Sequence, residues 1–120
     1  MTATTRDFSK IGLLYLKRGR WESQQIVSEK WVALSTQTNS VAKDYAYLWW
    51  RFDAPVPGLH GAFYAHGAGG QYLLVIPSLD MVVTRLGHSS PEINKTYFPR
   101  LVELILESVV SKPPRQKARR

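Results

Sequence analysis

Apolar positions follow two rhythms along this chain. Near the amino end Phe8, Ile11, Gly12 and Tyr15 recur at helical intervals. Thr4 or Thr5 can cap that helix, Asp7 suits its first turn, and Lys17-Arg18 lie at the negative end before Gly19. Leu13, Leu14 and Leu16 fill the other faces, so the helix is apolar nearly all round and expects packing partners on several sides. Residues 21–27 read as a connector with an extended piece at Gln25-Ile26-Val27. A second, short helix is expected over 28–34, capped by Ser28, with Trp31 and Leu34 or Ser35 facing inward. Polar residues from Ser35 to Lys43 then make a loop.

From Tyr45 the period shortens. Four strands are expected, at 45–52, 62–65, 71–76 and 81–86, the first aromatic-rich and too continuous for a solvated edge. Pro55, Pro57 and Gly58 interrupt them, and Pro77-Ser78-Leu79-Asp80 supplies a turn. The last helix is expected to begin around Tyr97, which puts Pro99 in its first turn. Phe98, Leu101, Val102, Ile105 and Val109 form a stripe suited to lie on the sheet. The fold class is therefore α+β, an antiparallel β-sheet flanked by N-terminal and C-terminal helices.

Composition narrows the field. A chain of 120 residues, 44% apolar and 12% aromatic, suits one globular domain and excludes a disordered chain as a whole. No apolar run reaches the roughly 20 residues of a membrane span. No secretory leader is visible, which makes a cytoplasmic location the default expectation. The lack of cysteine removes thiol catalysis, zinc-thiolate sites and disulfide scaffolds. The net charge of +7 sits largely in one place: Lys112, Arg115, Lys117, Arg119 and Arg120 are basic, leaving 11 basic and 9 acidic residues before them. A globular domain at 1–111 followed by a basic, disordered tail at 112–120 is the expected organisation. With a near-neutral body, nucleic acid is not the expected partner.

The most unusual stretch is Tyr64-Ala65-His66-Gly67-Ala68-Gly69-Gly70-Gln71, with three glycines in four positions. A phosphate loop would run from strand into helix, and here a strand follows, so no nucleotide or other cofactor is expected. Two readings stay open: a tight hairpin without a ligand, and exposed amides that stabilise a developing oxyanion. His60, His66 and His88 lack metal-ligand spacing, so no metal site is expected. His88-Ser89-Ser90 with Asp80 could be written as a triad, but no G-x-S-x-G elbow supports it.

At four places the chain resembles serine hydrolases of the β-lactamase and penicillin-binding superfamily, in the branch of class C β-lactamases, related esterases and 6-aminohexanoate-dimer hydrolases. Thr4-Thr5-Arg6-Asp7-Phe8 through Leu16 is similar to the helix after an S-A-R-D-type cap, and Gly19-Arg20-Trp21 through Trp31-Val32 to the G-x-W…W-V connector. Tyr45-Ala46-Tyr47-Leu48-Trp49-Trp50 resembles a Y-G-Y-x-W-W strand. Gly67-Ala68-Gly69-Gly70-Gln71-Tyr72, with Ile76-Pro77 and Asp80-Met81-Val82-Val83, resembles the G-x-G-G-Q-Y…I-P…D-x-V-V hairpin.

The resemblance implies the C-terminal part of such an enzyme, a partial β-lactamase/transpeptidase-like fold. It implies an oxyanion-hole amide at Ala68, and substrate contacts from Ala65, His66, Gly67, Gly69, Tyr47 and Trp49. The family's K-T-G falls on Ala65-His66-Gly67, so the lysine that would meet a β-lactam carboxylate is replaced by alanine, and His66 is a partial substitute. The S-x-x-K nucleophile and base are expected to be absent, because Ser9-Lys10, Ser28-Glu29-Lys30 and Ser111-Lys112 have the wrong spacing. On this reading the chain is inactive alone, and a small ester or amide is its partner only once an N-terminal half completes it. The alternative is a non-catalytic binding module that uses the basic tail on acidic partners.

Overall fold

A computed structural model describes residues 2–38, 41–52 and 56–110. They form two compact units, residues 1–88 and the segment from Ser89 onward. The expected tail at 112–120 lies outside the described residues. Among those residues no helix is long and apolar enough to cross a membrane.

The first unit opens with α1, Thr5–Leu16. Its capping box is complete: the Thr4 hydroxyl accepts from the Asp7 amide at 3.2 Å, and the Asp7 carboxylate accepts from the Thr4 amide at 3.1 Å. The Thr4 hydroxyl, which also donates to the Asp7 carboxylate at 2.7 Å, and then the Thr4 amide hold that carboxyl below its ordinary pKa. The helix ends in a Schellman turn, with the Gly19 amide on the Leu14 carbonyl at 2.8 Å and the Arg18 amide on that of Tyr15 at 3.0 Å. Gly19 is needed there, because a Cβ would stand 1.9 Å from the Val27 carbonyl oxygen.

The connector is a small hairpin, β1 (Arg20–Trp21) with β2 (Gln24–Gln25), so the extended piece falls slightly earlier than expected. Helix α2 covers Glu29–Thr36 and is capped by Ser28. Its inward side is Val32, Ser35 and Thr36, which corrects the expectation for Trp31 and Leu34: these are 42% and 48% exposed. The two hydroxyls can be buried because both donate back to the Val32 carbonyl, Thr36 at 2.8 Å and Ser35 at 3.3 Å.

Five strands, not four, make the sheet, in the order β3 (Tyr45–Ala46), β4 (Trp49–Arg51), β5 (Phe63–Gly67), β6 (Gln71–Ile76) and β7 (Met81–Arg85), every pair antiparallel. The expected first strand is split by a turn at Tyr47-Leu48, where both residues take positive φ, 44° and 78°. Two left-handed residues in succession reverse the chain, so Tyr45 pairs with Trp50 rather than continuing past it. Between β6 and β7 runs a 3₁₀ turn, Pro77–Leu79, closed by Asp80 at φ 47°.

Strand β6, between β5 and the edge strand β7, is buried along almost its whole length, with Leu74, Val75 and Ile76 fully enclosed. One face meets α1, and Trp49, Phe63, Leu73 and Val75 cluster there with Tyr15 and Leu16 packed against them. Gly12, the one fully buried residue of α1, lets the helix lie close to that face. Ile11 and Leu13 stay 38% exposed, so α1 leaves part of its apolar surface open among the described residues.

The second unit is α3, Pro91–Val110. It starts six residues before the expected point, with Pro91 in its first turn and the Ser90 hydroxyl accepting from the Ile93 amide at 3.4 Å. Pro99 is therefore interior rather than in the first turn. Along the expected stripe, Val102 and Ile105 are buried and Phe98, Leu101 and Val109 are half-buried.

Candidate functional site

The glycine-rich stretch is the tip of the β5–β6 hairpin. Gly67 pairs with Gln71, and Ala68, Gly69 and Gly70 form the turn, with φ of 81° and 85° at the last two. That conformation is open to glycine and costly for other residues. Two side chains outside the turn brace it. Arg85 Nη1 donates to the carbonyls of Gly69, at 3.4 Å, and Gly70. The Gln71 amide clamps Gly87, with Nε2 donating to its carbonyl and Oε1 accepting from its amide at 2.9 Å. His88 lies close by, its Nδ1 3.1 Å from where a Cβ on Gly69 would sit.

Beside this hairpin runs a groove of about 670 Å³. Phe8, Ile11 and Tyr15 of α1 form one wall. Trp49, Ala65, Gly67, Leu73 and Leu86 line it from the sheet side, and Tyr47 and Leu48 of the β3–β4 turn line it too. The aromatics are held by one another: Tyr15 lies 4.7 Å from Trp49, Trp49 meets Phe63 edge to face at 5.0 Å, and Tyr47 leans on Trp31 at 5.3 Å.

The residues singled out in the sequence fall into two groups. Tyr47, Trp49, Ala65, His66 and Gly67 all border the groove. Ala68 and Gly69 belong to the turn immediately after it, and Ala68 is exposed. Strand alternation separates Ala65 and Gly67 from His66, whose ring stacks on Tyr72 at 4.6 Å, 5° from parallel. That imidazole is committed to Tyr72, so it is a poor stand-in for a cation at Ala65. Burial pushes the Tyr72 phenol above its ordinary pKa, opposed by the charge of Arg85. Asp80, the paper triad's acid, pairs instead with Lys17 at 3.0 Å.

The expectation about S-x-x-K needs correcting at the level of letters: Ser40-Val41-Ala42-Lys43 has that spacing. It lies in the connection between α2 and β3, and Ser40 is outside the described residues. Residues 41–44 form no helical turn. An S-x-x-K pair depends on such a turn to bring its serine and lysine together on one face.

Arg85, Gln71 and Leu48 were not singled out in the sequence. Gln71 follows the glycine pair directly, and Arg85 stands opposite Tyr72 in the register, a pairing visible only once the β6–β7 hairpin is known.

No protein-family model and no curated protein matches the chain. Among solved structures it is similar to a Bacillus anthracis protein described provisionally as a 6-aminohexanoate-dimer hydrolase, with 25% identity and a TM-score of 0.69. The likeness covers 88% of this chain. It is a likeness to part of a β-lactamase-like hydrolase fold. The chain spans only 30% of that protein's length.

Proposed function

We propose that this chain supplies the C-terminal part of a β-lactamase-type serine hydrolase. The groove is its substrate cleft, and the Ala68 amide is one of two oxyanion donors. The observation that carries the reading is the meeting of the apolar groove with the braced glycine turn, at the end of β5, in a chain whose fold matches part of a hydrolase. An oxyanion donor must be held still before charge develops; Arg85 holds the turn's carbonyls, and Gln71, at the foot of the turn, is tied to Gly87. The attacking serine and its base belong to a further segment, because residues 41–43, the described part of the one S-x-x-K spelling, are not helical as such a pair needs.

The test is ester hydrolysis. With p-nitrophenyl butyrate the chain alone is expected to show no turnover above buffer. Turnover by the pure chain that disappears in Ser40→Ala would overturn the reading, since the chain would then carry its own nucleophile. Combined with an S-x-x-K-bearing amino-terminal segment of such a hydrolase, the chain is expected to hydrolyse the ester. There Ala68→Pro, which removes the amide donor, should lower kcat by about 10²–10³-fold.

A further inference from the structure

We infer that the groove takes a neutral, predominantly apolar ester or amide, and discriminates against charged and zwitterionic ones. The inference rests on the reading of the groove as a substrate cleft, and it names what that cleft accepts. None of the described residues lining the groove is Lys, Arg, Asp or Glu. Of its polar groups, the Gln71 amide is held at both ends by Gly87, and His66 stacks face to face on the uncharged Tyr72 phenol. Arg85 is turned onto the carbonyls of Gly69 and Gly70. At Ala65 a methyl group lines the groove.

A carboxylate or ammonium carried into such a site would lose water and gain no opposite charge, the situation that penalises binding most heavily. Methylene and aromatic groups would instead displace water from Phe8, Ile11, Tyr15, Trp49 and Leu73. The volume lies within the range of small-molecule clefts, so an extended molecule with an apolar arm on each side of the scissile bond fits its size. This separates the chain from what its structural neighbour's name describes, since the 6-aminohexanoate dimer carries an ammonium at one end and a carboxylate at the other.

Two amides of the same skeleton test the point: the 6-aminohexanoate dimer, and N-hexylhexanamide, in which a hydrogen replaces the ammonium and a methyl group replaces the carboxylate. Each is titrated into the full 120-residue chain, and binding is followed by amide NMR shifts at Gly67, Leu73 and Leu48. N-hexylhexanamide is expected to bind about tenfold more tightly or better, because each charged end of the dimer is desolvated without a partner. Ala65→Lys should narrow the ratio by tightening the dimer. If both ligands shift these signals and the dimer binds as well as its neutral analogue, the inference is overturned while the cleft reading stands. If neither ligand shifts them, the cleft reading falls, and the inference falls with it.

Discussion

Replacing Gly12 by alanine pits two opposing effects against each other at the contact that forms one wall of the groove. Alanine in a helix interior is favoured over glycine by about 0.8–1.0 kcal/mol. Against this, the new Cβ would stand 2.7 Å from Val82 Cγ1, 2.8 Å from Leu73 Cδ1 and 3.5 Å from Val75 Cγ2. Two of these distances are shorter than carbon atoms tolerate. Leu73 is 5% exposed on the central strands and has little room to turn aside, and Val82 is stiff at χ1. Overpacking of this kind costs about 1–3 kcal/mol, and with two contacts this short the clash should outweigh the helical gain, for a net loss of up to about 2 kcal/mol. Urea unfolding at 25 °C, followed by far-UV circular dichroism, measures it as a lower midpoint with an unchanged slope. Val82→Ala removes one of the clashing methyls. The double variant should therefore lose at least about 0.5 kcal/mol less than the sum of the singles. A Gly12→Ala chain as stable as the parent, with additive behaviour in the cycle, would refute close packing of α1 against the sheet.

Three further perturbations follow from the geometry. Tyr47→Asn with Leu48→Gly puts turn-favouring residues where φ is 44° and 78°; each bulky left-handed residue costs about 1–2 kcal/mol, so a higher urea midpoint is expected, together with weaker N-hexylhexanamide binding as the groove loses two apolar lining side chains. Gln71→Ala leaves the Gly87 amide and carbonyl without their partner and should cost about 1–3 kcal/mol, with faster hydrogen exchange at Gly69 and Gly70; unchanged exchange would show that Arg85 braces the turn alone. Asp7 is held below its ordinary pKa chiefly by the Thr4 hydroxyl, then by the Thr4 amide and Lys10. Its stabilising contribution is therefore complete above the ordinary carboxylate pKa and is lost as pH falls through the lowered one. Asp7→Asn should flatten the stability profile below about pH 4. Part of the slope remains, since Glu92 is also held low, by its own amide and the Ser90 hydroxyl.

What the sequence shows of this fold divides by the range of the interactions. Thr4 with Asp7, Ser28 and the Gly19 stop are local chemistry, and each falls where residue type alone places it. Two other features are decided by tertiary structure. Tyr45 to Phe52 reads as one strand because most of its residues favour extended backbone, yet the chain turns back at Tyr47-Leu48, two of the residues least suited to a left-handed turn. Pro99 reads as a start signal, and the helix instead begins at Pro91 and runs on through it.

The site was legible to the same depth. Glycine spacing marks the hairpin, and the aromatics mark a wall, because both are written in consecutive residues. The braces are not: Gln71 reaches Gly87 and Arg85 reaches Gly70 only because β6 and β7 lie side by side in one register. A shift of one residue would turn Arg85 to the other face and free the turn. The turn at Tyr47-Leu48 has the same logic. Backbone strain of this kind persists only where surrounding contacts over-determine it. Here those contacts are the Tyr47 ring on Trp31 and the pairing of Ala46 with Trp49. The unfavourable turn thus sets Tyr47 and Leu48 among the residues that line the apolar groove.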